Sequence, residues 1–384
     1  MRKGRFLIVS WNGGGNFPPA LALAARLAQR GHRVAIMADA APVPGKVASD
    51  VAAAGAELLE YPSLEPWPTG VSLDDDPARF DELRNGVATA NDVLSAAAGF
   101  SPDVLVVDCM SGAGLVAAEL LGVPTAVLVH VLYQPFIAFW ADLSVDMGRC
   151  REAFGLPALG SQAMWECCSR AGKVLVLVPQ ELDYPGAART GSTHYVGPIL
   201  DPRPPEPPSH LGFDHGDDRP LVLVSLSTTL QRQGEVLPRI LEAVGSLPVR
   251  GLLTLGGLDL GELALPGNVV AHRYLPHARI LPQVSAVVTH GGLSTITAAL
   301  ACGVPLVCIP QGREQPLNSA RVAQCGAGID LPADASVEAV AAALSALLSD
   351  PGFRAAAARL QAAIGRDGGG VTAVAHVEEL LANP

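Results

Sequence analysis

Hydrophobic and polar positions at the start of the chain follow two different periodicities. Arg5–Ser10 is a short apolar run of the kind that forms a buried strand, and Val34–Met37 is a second such run. Between them, small apolar residues recur at the i, i+3, i+4, i+7 spacing of a half-buried helix: Ala20, Leu23, Ala24 and Leu27. Pro18-Pro19 suits the first helical turn, and Gly31 suits the helix end. The pattern predicts a βαβ unit with two parallel strands.

A second strand–helix–strand pattern occurs twice further along the chain. Each copy runs from an apolar strand through a helix to a Gly-Val-Pro turn and another strand. The segments are Asp103–Asp108, Ser111–Leu121 and Thr125–Val129 in one copy, and Ser285–Thr289, Leu293–Cys302 and Leu306–Ile309 in the other. Asp108 precedes Gly122 by 14 residues, and Thr289 precedes Gly303 by the same 14. We therefore expect two similar domains, with Asp108 and Thr289-His290 at carboxyl strand ends, where open sheets bind ligands.

A proline-rich stretch separates the two copies and sets the predicted domain boundaries. Repeated proline favours extended, semi-rigid chain, which is typical of a spacer. We predict a Rossmann-like domain over 1–200, a linker over 201–219, a second Rossmann-like domain over 220–365, and a C-terminal helix within 366–384 that packs back on the first domain. The predicted fold class is α/β, with two doubly wound parallel sheets facing a central cleft.

The amino-acid composition indicates what kind of core the chain forms and which classes of binding partner it excludes. Of the 384 residues, 49% are hydrophobic and 16% are charged, which favours large buried parallel sheets. The formal charge of −11 and the lack of a Lys/Arg cluster argue against nucleic acid. Seven irregularly spaced cysteines match no metal or redox motif, so we expect no metal and a cytoplasmic location. The uncharged stretches Leu120–Ala141 and Leu281–Gly312 carry Gly and Pro at element boundaries, which indicates buried core rather than membrane insertion.

Gly13-Gly14-Gly15 follows the first predicted strand and raises the question of a dinucleotide site. In that fingerprint a third glycine lets helix and strand pack closely, but Pro18 stands at its position here. Asp39 is a weak candidate for the acidic residue that binds the ribose. We favour a structural turn, whose glycines can still bring the backbone close to a ligand, over a dehydrogenase site.

His290-Gly291-Gly292 joins another strand end to a helix start, with Ser294 and Thr295 in the first turn. Backbone N–H groups and the helix dipole attract anions at such a position. The imidazole and the two hydroxyls add further donors, so the loop suits a diphosphate. On these residues alone, a capped helix with a tight entry turn explains the pattern equally well.

The longer stretch from His290 to Gly328 favours the diphosphate. It resembles the nucleotide-sugar-binding signature of family 1 glycosyltransferases, which have the GT-B fold. In that family the signature begins with HGG, a small residue and Thr, continues with a GVP turn, and ends with Asp-Gln before Pro-x-Asn. The last element is Glu314-Gln315-Pro316-Leu317-Asn318, with Glu in place of the usual Asp. Weaker similarities extend over most of the chain: Arg30–His32, Tyr195–Pro198, Val224–Thr228 and Tyr274–His277.

The resemblance implies a role for each matching residue. The diphosphate would be bound by His290, Gly291, Gly292, Ser294 and Thr295, with Thr228 opposite. Tyr274 would stack on the base, and His277 would meet the base or the ribose. Glu314 and Gln315 would hydrogen-bond the sugar hydroxyls. The donor, a TDP- or UDP-sugar, would be a co-substrate, so no cofactor is expected.

The general base is where the chain departs from the family. The usual motif after the first strand is Gly-His-x-x-Pro, whose His deprotonates the acceptor hydroxyl, but Asn16 occupies that place here. An amide can orient a hydroxyl but cannot act as a base near neutral pH. Asp108, which matches the family's partner of that His, and His130, at the end of the next strand, are the candidate bases. Helix capping by the Asp and a core position for the His are the structural alternatives, and a phenolic or enolic acceptor would need little help.

Aromatic residues crowd into the N-terminal half and suggest the acceptor. They are Trp11, Phe17, Trp67, Tyr133, Phe136, Phe139, Trp140, Phe154 and Trp165. Such residues can line a wide apolar pocket, although about half could equally be core. We expect a bulky apolar acceptor, such as an aromatic or macrocyclic natural product.

The Ala-rich, Lys-poor composition is similar to that of high-GC bacterial proteins, which favours a role in antibiotic and other secondary metabolism.

The expected function is that of a metal-independent hexosyltransferase, which transfers a sugar to a hydroxyl of that acceptor and inverts the anomeric configuration. Aromatic C-glycosylation is one alternative, since a phenolate would activate the ring without a base. A non-catalytic sugar-nucleotide-binding partner of another transferase is a second, motivated by Asn16. The partners would be the acceptor and the donor, and we also allow for a homodimer.

Overall fold

A computed structural model of the chain describes residues 2–38, 46–65, 76–159, 170, 172–186, 191–202, 204, 206–214, 216–227, 233–256 and 263–382. For residues 138–146 and 233 it describes the backbone alone. Within these ranges, every helix is too short or too polar to cross a lipid bilayer.

Strands and helices alternate along the chain, as the hydrophobic pattern predicts. The strands are β1 (Arg5–Val9), β2 (Arg33–Met37), β3 (Glu57–Leu59), β4 (Val104–Asp108), β5 (Thr125–Val129), β6 (Lys173–Val176), β7 (Thr193–Tyr195), β8 (Leu221–Ser225), β9 (Arg250–Thr254), β10 (Val269–His272), β11 (Ala286–Thr289), β12 (Leu306–Cys308) and β13 (Gly328–Asp330). The helices are α1 (Phe17–Gln29), α2 (Lys46–Ala53), α3 (Pro77–Asn85), α4 (Val87–Phe100), α5 (Gly112–Leu121), α6 (Tyr133–Ala153), α7 (Gln233–Gly245), α8 (His277–Ile280), α9 (Leu293–Ala301), α10 (Gln315–Gln324), α11 (Val337–Ser349), α12 (Pro351–Asp367) and α13 (Gly370–Ala382). Short 3₁₀ turns occur at Gln180–Leu182 and Leu281–Gln283.

The chain folds into two compact units. Unit 1 comprises Met1–Pro202 together with Asp367–Pro384, and unit 2 comprises Arg203–Arg366. Each unit is built on one parallel sheet with its own apolar core. The predicted class, two α/β domains with parallel sheets, is confirmed.

The sheet of unit 1 has the strand order β3-β2-β1-β4-β5-β6-β7, and every pairing is parallel. The chain direction across the sheet reverses between β1 and β4, which is where open α/β sheets bind ligands. Val9 pairs with Val107 and Asp108 pairs with Leu128, so three loops meet at this edge. They follow β1, β4 and β5.

The C-terminal helix α13 completes the core of unit 1. Its apolar face, which includes Ala373, Val374 and Val377, joins the cluster beneath β1 and α1. The Glu378 carboxylate accepts hydrogen bonds from Arg30 and from His32 Nε2 at 2.8 Å. The helix is therefore held to unit 1 by apolar packing and by hydrogen bonds to the Glu378 carboxylate.

The sheet of unit 2 has the same arrangement, with the order β10-β9-β8-β11-β12-β13. Its direction reverses between β8 and β11, where Ser225 pairs with Thr289. The segments β4-α5-β5 and β11-α9-β12 are the two copies of the repeated pattern. Gly122 and Gly303 both adopt a left-handed backbone (φ 61° and 66°) ahead of Val-Pro, so the two copies leave their helices through similar turns.

Candidate active site

Asp108 lies at the reversal point of the unit 1 sheet and is almost fully buried. Its Oδ1 accepts hydrogen bonds from the Met110 amide at 2.8 Å and from His130 Nε2 at 3.2 Å. Its Oδ2 accepts a hydrogen bond from Asn16 Nδ2 at 3.2 Å. Helix α5 is instead capped by Ser111, whose hydroxyl accepts from the Gly114 amide. The carboxylate is therefore held between two side chains from neighbouring loops and does not serve as the cap of α5.

The Asp108 and His130 charges stabilise each other. Burial raises the pKa of Asp108, but the His130 charge and the hydrogen bonds from His130, Met110 and Asn16 outweigh it, so this pKa lies below the usual value. Burial lowers the pKa of His130, but the Asp108 carboxylate and the Cys109 side chain, which both interact with the imidazole, outweigh it and hold that pKa well above the usual value. Asp108 is consequently a weak base, whereas His130 is a stronger one than a free imidazole.

Asn16 is engaged entirely within unit 1. Its Nδ2 donates to the Trp11 carbonyl at 2.8 Å and to Asp108, and its Oδ1 accepts from the Gly13 amide at 3.1 Å. Both amide hydrogens are thus used. An amide at this position can orient an acceptor hydroxyl, and in the structure Asn16 bonds the glycine loop and the Asp108 carboxylate.

Cys109 is a residue near this pair that sequence reasoning missed. A ligating atom from each of Asp108, Cys109 and His130 lies within 4.8 Å of the other two. Cys109 follows Asp108 directly, but spacing along the chain does not reveal its proximity to His130, because the two residues end different strands. Its position at a carboxyl strand end was the available signal.

In unit 2, His290 directly follows β11, and Gly292 precedes the first turn of α9. Burial and, to a smaller extent, the Arg313 charge lower the pKa of His290 to about 4, whereas a hydrogen bond with the Ser225 backbone acts to raise it. The imidazole is therefore neutral near pH 7, and its one N–H is the donor to the Ser225 backbone. In the first turn of α9, Ser294 is exposed and Thr295 is buried, and the Thr295 amide donates to the Gly292 carbonyl at 3.1 Å.

Helix α10 fixes the glycine loop that precedes α9. Asn318 Nδ2 donates to the Gly291 carbonyl at 3.0 Å. Gly291 has a φ of +85°, and a Cβ there would lie 2.5 Å from Ser319 Oγ. This position therefore requires glycine, both for its backbone and for the close approach of α10.

The remaining predicted donor residues are placed around the same sheet edge. Tyr274 is 68% exposed, and His277 Nε2 lies 3.3 Å from Ser225 Oγ. Glu314 immediately precedes α10, and the buried Gln315 uses its Oε1 to accept from the Gln311 amide at 2.8 Å. Thr228 lies outside the described residues, as does Asp39 of the rejected dinucleotide site.

The aromatic residues proposed for the acceptor divide into two groups. Trp11, Phe17, Tyr133 and Phe136 are buried. Tyr133 and Phe136 belong to α6 and pack inward. Trp11 lies against Phe80, with ring centroids 5.2 Å apart. Phe154 is partly exposed; Trp67 and Trp165, and the side chains of Phe139 and Trp140, lie outside the described residues.

Comparison with known proteins places the chain among a set of similar sequences and folds. A model of the erythromycin biosynthesis protein CIII-like C-terminal domain matches residues 239–379. The 4'-demethylrebeccamycin synthase of Lentzea aerocolonigenes is 30% identical over 307 residues, covering 70% of this chain and 72% of that protein. Demethyllactenocin mycarosyltransferase of Streptomyces fradiae is 28% identical, covering 96% and 84%. The crystal structure of CalG4, the calicheamicin glycosyltransferase, matches with a TM-score of 0.80 at 26% identity, covering 100% and 99%.

Proposed function

The chain belongs to the antibiotic-type family 1 glycosyltransferases and has their GT-B fold. From this premise we propose that it transfers a sugar from a TDP- or UDP-sugar to a hydroxyl of a bulky apolar natural product, with inversion at the anomeric carbon. The observation that carries the proposal is the His130–Asp108 hydrogen bond at the ligand-binding edge of unit 1. It supplies the base that Asn16 cannot.

The donor binds at the carboxyl edge of the unit 2 sheet. The diphosphate is bound by His290, Gly291, Gly292, Ser294 and Thr295, and by Thr228. The N-terminus of α9 offers backbone N–H groups and a positive dipole end. The single N–H of the neutral His290 bonds the Ser225 backbone and turns to the diphosphate when the donor binds. Negative charge that develops on the leaving phosphate is therefore met by donors already in place.

Tyr274 and His277 bind the nucleoside part of the donor. The Tyr274 ring is largely exposed and can therefore stack on the base, and His277 contacts the base or the ribose. Glu314 and Gln315 hydrogen-bond the sugar hydroxyls. Because the Gln315 Oε1 already accepts a bond from Gln311, we assign the larger share of sugar recognition to Glu314.

His130 is the general base, and Asp108 orients it. Asp108 is the poorer candidate because both of its oxygens accept hydrogen bonds and its pKa is lowered. In the neutral form of His130, Nε2 carries the hydrogen bonded to Asp108 and Nδ1 takes the acceptor proton. Because the pKa of His130 is raised, the fraction of enzyme in this neutral form increases with pH. Asn16 holds the carboxylate in place, so its presence is no longer a reason to regard the chain as a non-catalytic partner.

The reaction is then a single displacement. The acceptor O–H proton passes to His130, and the oxygen forms a bond to the anomeric carbon. The bond from that carbon to the diphosphate breaks, and the nucleoside diphosphate leaves with the electron pair. Attack opposite to the leaving group inverts the anomeric centre.

The acceptor class rests on the relatives. Two of them are named as glycosyltransferases of demethyllactenocin and of oleandomycin. A base prepared for an alcohol favours O-glycosylation over attack by an aromatic carbon, which needs no such group.

Product analysis tests this proposal. The full-length chain is incubated with UDP-glucose or TDP-glucose and a panel of phenolic and macrolide acceptors, and products are identified by mass spectrometry and NMR. We expect an acid-labile O-glycoside with inverted configuration, and loss of product in His290→Ala. A retained configuration, an acid-stable C-glycoside, or no product from any pair would contradict the proposal.

A further inference from the structure

We propose that Asp108, Cys109 and His130 form a binding site for a divalent transition metal, and that Zn²⁺ bound there inhibits the enzyme. One ligating atom from each residue lies within 4.8 Å of the other two. In the part of the chain that the structure describes, no other three His, Cys, Asp or Glu side chains are grouped in this way.

The spacing suits tetrahedral zinc. Bonds of about 2.0–2.3 Å place neighbouring ligand atoms roughly 3.3–3.8 Å apart. Asp108 Oδ1 and His130 Nε2 are already 3.2 Å apart. Side-chain rotations that move the ligand atoms by about an ångström therefore bring all three into the coordination sphere. A water molecule would complete the fourth position.

The ligand types select the metal. An imidazole nitrogen, a thiolate and a carboxylate together suit Zn²⁺ and Co²⁺, whereas Mg²⁺ prefers oxygen ligands and retains its waters. Binding releases the Cys109 thiol proton and any proton on His130 to solvent. The thiolate and the Asp108 carboxylate then balance the two positive charges, so the buried site is neutral overall.

The surroundings hold the ligands in place. The Met110 amide and Asn16 Nδ2 remain bonded to the Asp108 carboxylate and orient it, as outer-sphere groups do in metal sites. Cys109 and Asp108 are buried, but the His130 side chain is 14% exposed, which gives the ion a route to the site.

Inhibition follows because the metal occupies the imidazole and carboxylate that the proposed function uses for proton transfer. This consequence rests on that function, whereas metal binding itself does not. Cys109 interacts with His130 but neither gives nor takes the acceptor proton in the proposed reaction. A variant without its thiol therefore tests metal binding separately from proton transfer.

The experiment uses the full-length chain, freed of metal, in buffer without chelators. Co²⁺ is titrated first, because a cobalt–thiolate bond gives a charge-transfer absorption band, and Zn²⁺ is then added to displace it. Transfer rates are measured in parallel at increasing Zn²⁺, with Mg²⁺ for comparison. The variants are Cys109→Ala, Cys109→Val, which retains more of the side-chain volume, and Cys150→Ala, a control that removes another buried thiol of unit 1.

We expect the band and micromolar Zn²⁺ inhibition in the wild type and Cys150→Ala. Both Cys109 variants should lose the band. Relative to their own metal-free rates, they should show a Zn²⁺ inhibition constant raised by at least about tenfold, since even outer-sphere changes cost roughly 10–100-fold in metal affinity. A band that persists without Cys109, equal inhibition of the variants, or no band in the wild type overturns the proposal. Because the band needs neither donor nor acceptor, failure of the transferase function gives a different result.

Discussion

His130 Nε2 lies 3.2 Å from Asp108 Oδ1, although the two residues follow different strands and are separated by 22 positions in the chain. The adjacency of β4 and β5 brings them together, and Asn16 holds the other carboxylate oxygen from the loop after β1. This pair, and not the residue at the family's usual position, carries the proton-transfer assignment.

Asn16→Ala should lower the catalytic rate by about tenfold or more while leaving the KM for the donor unchanged. The change leaves Asp108 Oδ2 and the Gly13 amide without their partner, and a lost buried hydrogen bond of this kind costs about 1–3 kcal/mol. Steady-state kinetics with a fixed acceptor measure the effect. Asn85→Ala is the control, because Asn85 is also buried in unit 1 but bonds Asp81. Equal losses in both variants would indicate general destabilisation instead.

Gly291→Ala should weaken nucleoside-diphosphate binding by at least about tenfold. A non-glycine residue at a φ of +85° costs about 1–3 kcal/mol, and the new Cβ would meet Ser319 Oγ at 2.5 Å. Isothermal titration with UDP and TDP measures the affinity. Gly267→Ala, whose Cβ meets no atom within 4 Å, is the control in unit 2. Unchanged affinity in Gly291→Ala would place the diphosphate elsewhere.

Glu378→Gln should destabilise unit 1 by about 1–3 kcal/mol, because the charged acceptor of a buried His32 hydrogen bond is lost. His32 Nδ1 already accepts from the Gly4 amide, so Nε2 carries the hydrogen and needs an acceptor. Urea unfolding measures the change. The neighbouring Glu379→Gln, which breaks a solvent-exposed pair with Lys173, should cost less than about 1 kcal/mol. Similar losses in the two variants would argue against a special role for Glu378.

The stacked rings of His194 and His376 should make unit 1 sensitive to acid. Their centroids are 4.1 Å apart. Burial, together with the charges of His376 and Lys173, lowers the pKa of His194, while Glu379 opposes this. The unfolded chain then binds more protons than the folded one, so stability declines as the pH falls below the unfolded value of about 6.5. His194→Phe keeps an aromatic ring and should reduce that slope; an unchanged slope would exclude this histidine as its source.

The repeated pattern of strand, helix and Gly-Val-Pro predicted the two sheets and their polar carboxyl edges. It succeeded because the apolar runs and the two left-handed glycines specify local structure directly. The pattern did not predict which loop residues contact each other. The Asp108–His130 bond and the position of Cys109 depend on strand order and side-chain rotation, which periodicity does not encode.

For the aromatic residues, the sequence left open which ones line a pocket and which are core. Tyr133 and Phe136 are three residues apart, which is a helical spacing, and α6 begins at Tyr133. Both belong to the core. Their burial against unit 1, including the edge-to-face contact of Tyr133 with Tyr195, requires tertiary packing to be known.

The most direct test of the account compares His130→Ala on two acceptors that differ in acidity. We predict that its rate on an aliphatic alcohol falls by about 10²–10⁴-fold, the usual contribution of a general base, and that its rate on a phenol falls by less than about tenfold. Asp108→Asn should follow the same order, and His194→Phe should match the wild type on both acceptors. A near-normal rate on the alcohol, or the same loss on both acceptors, would contradict His130 as the base.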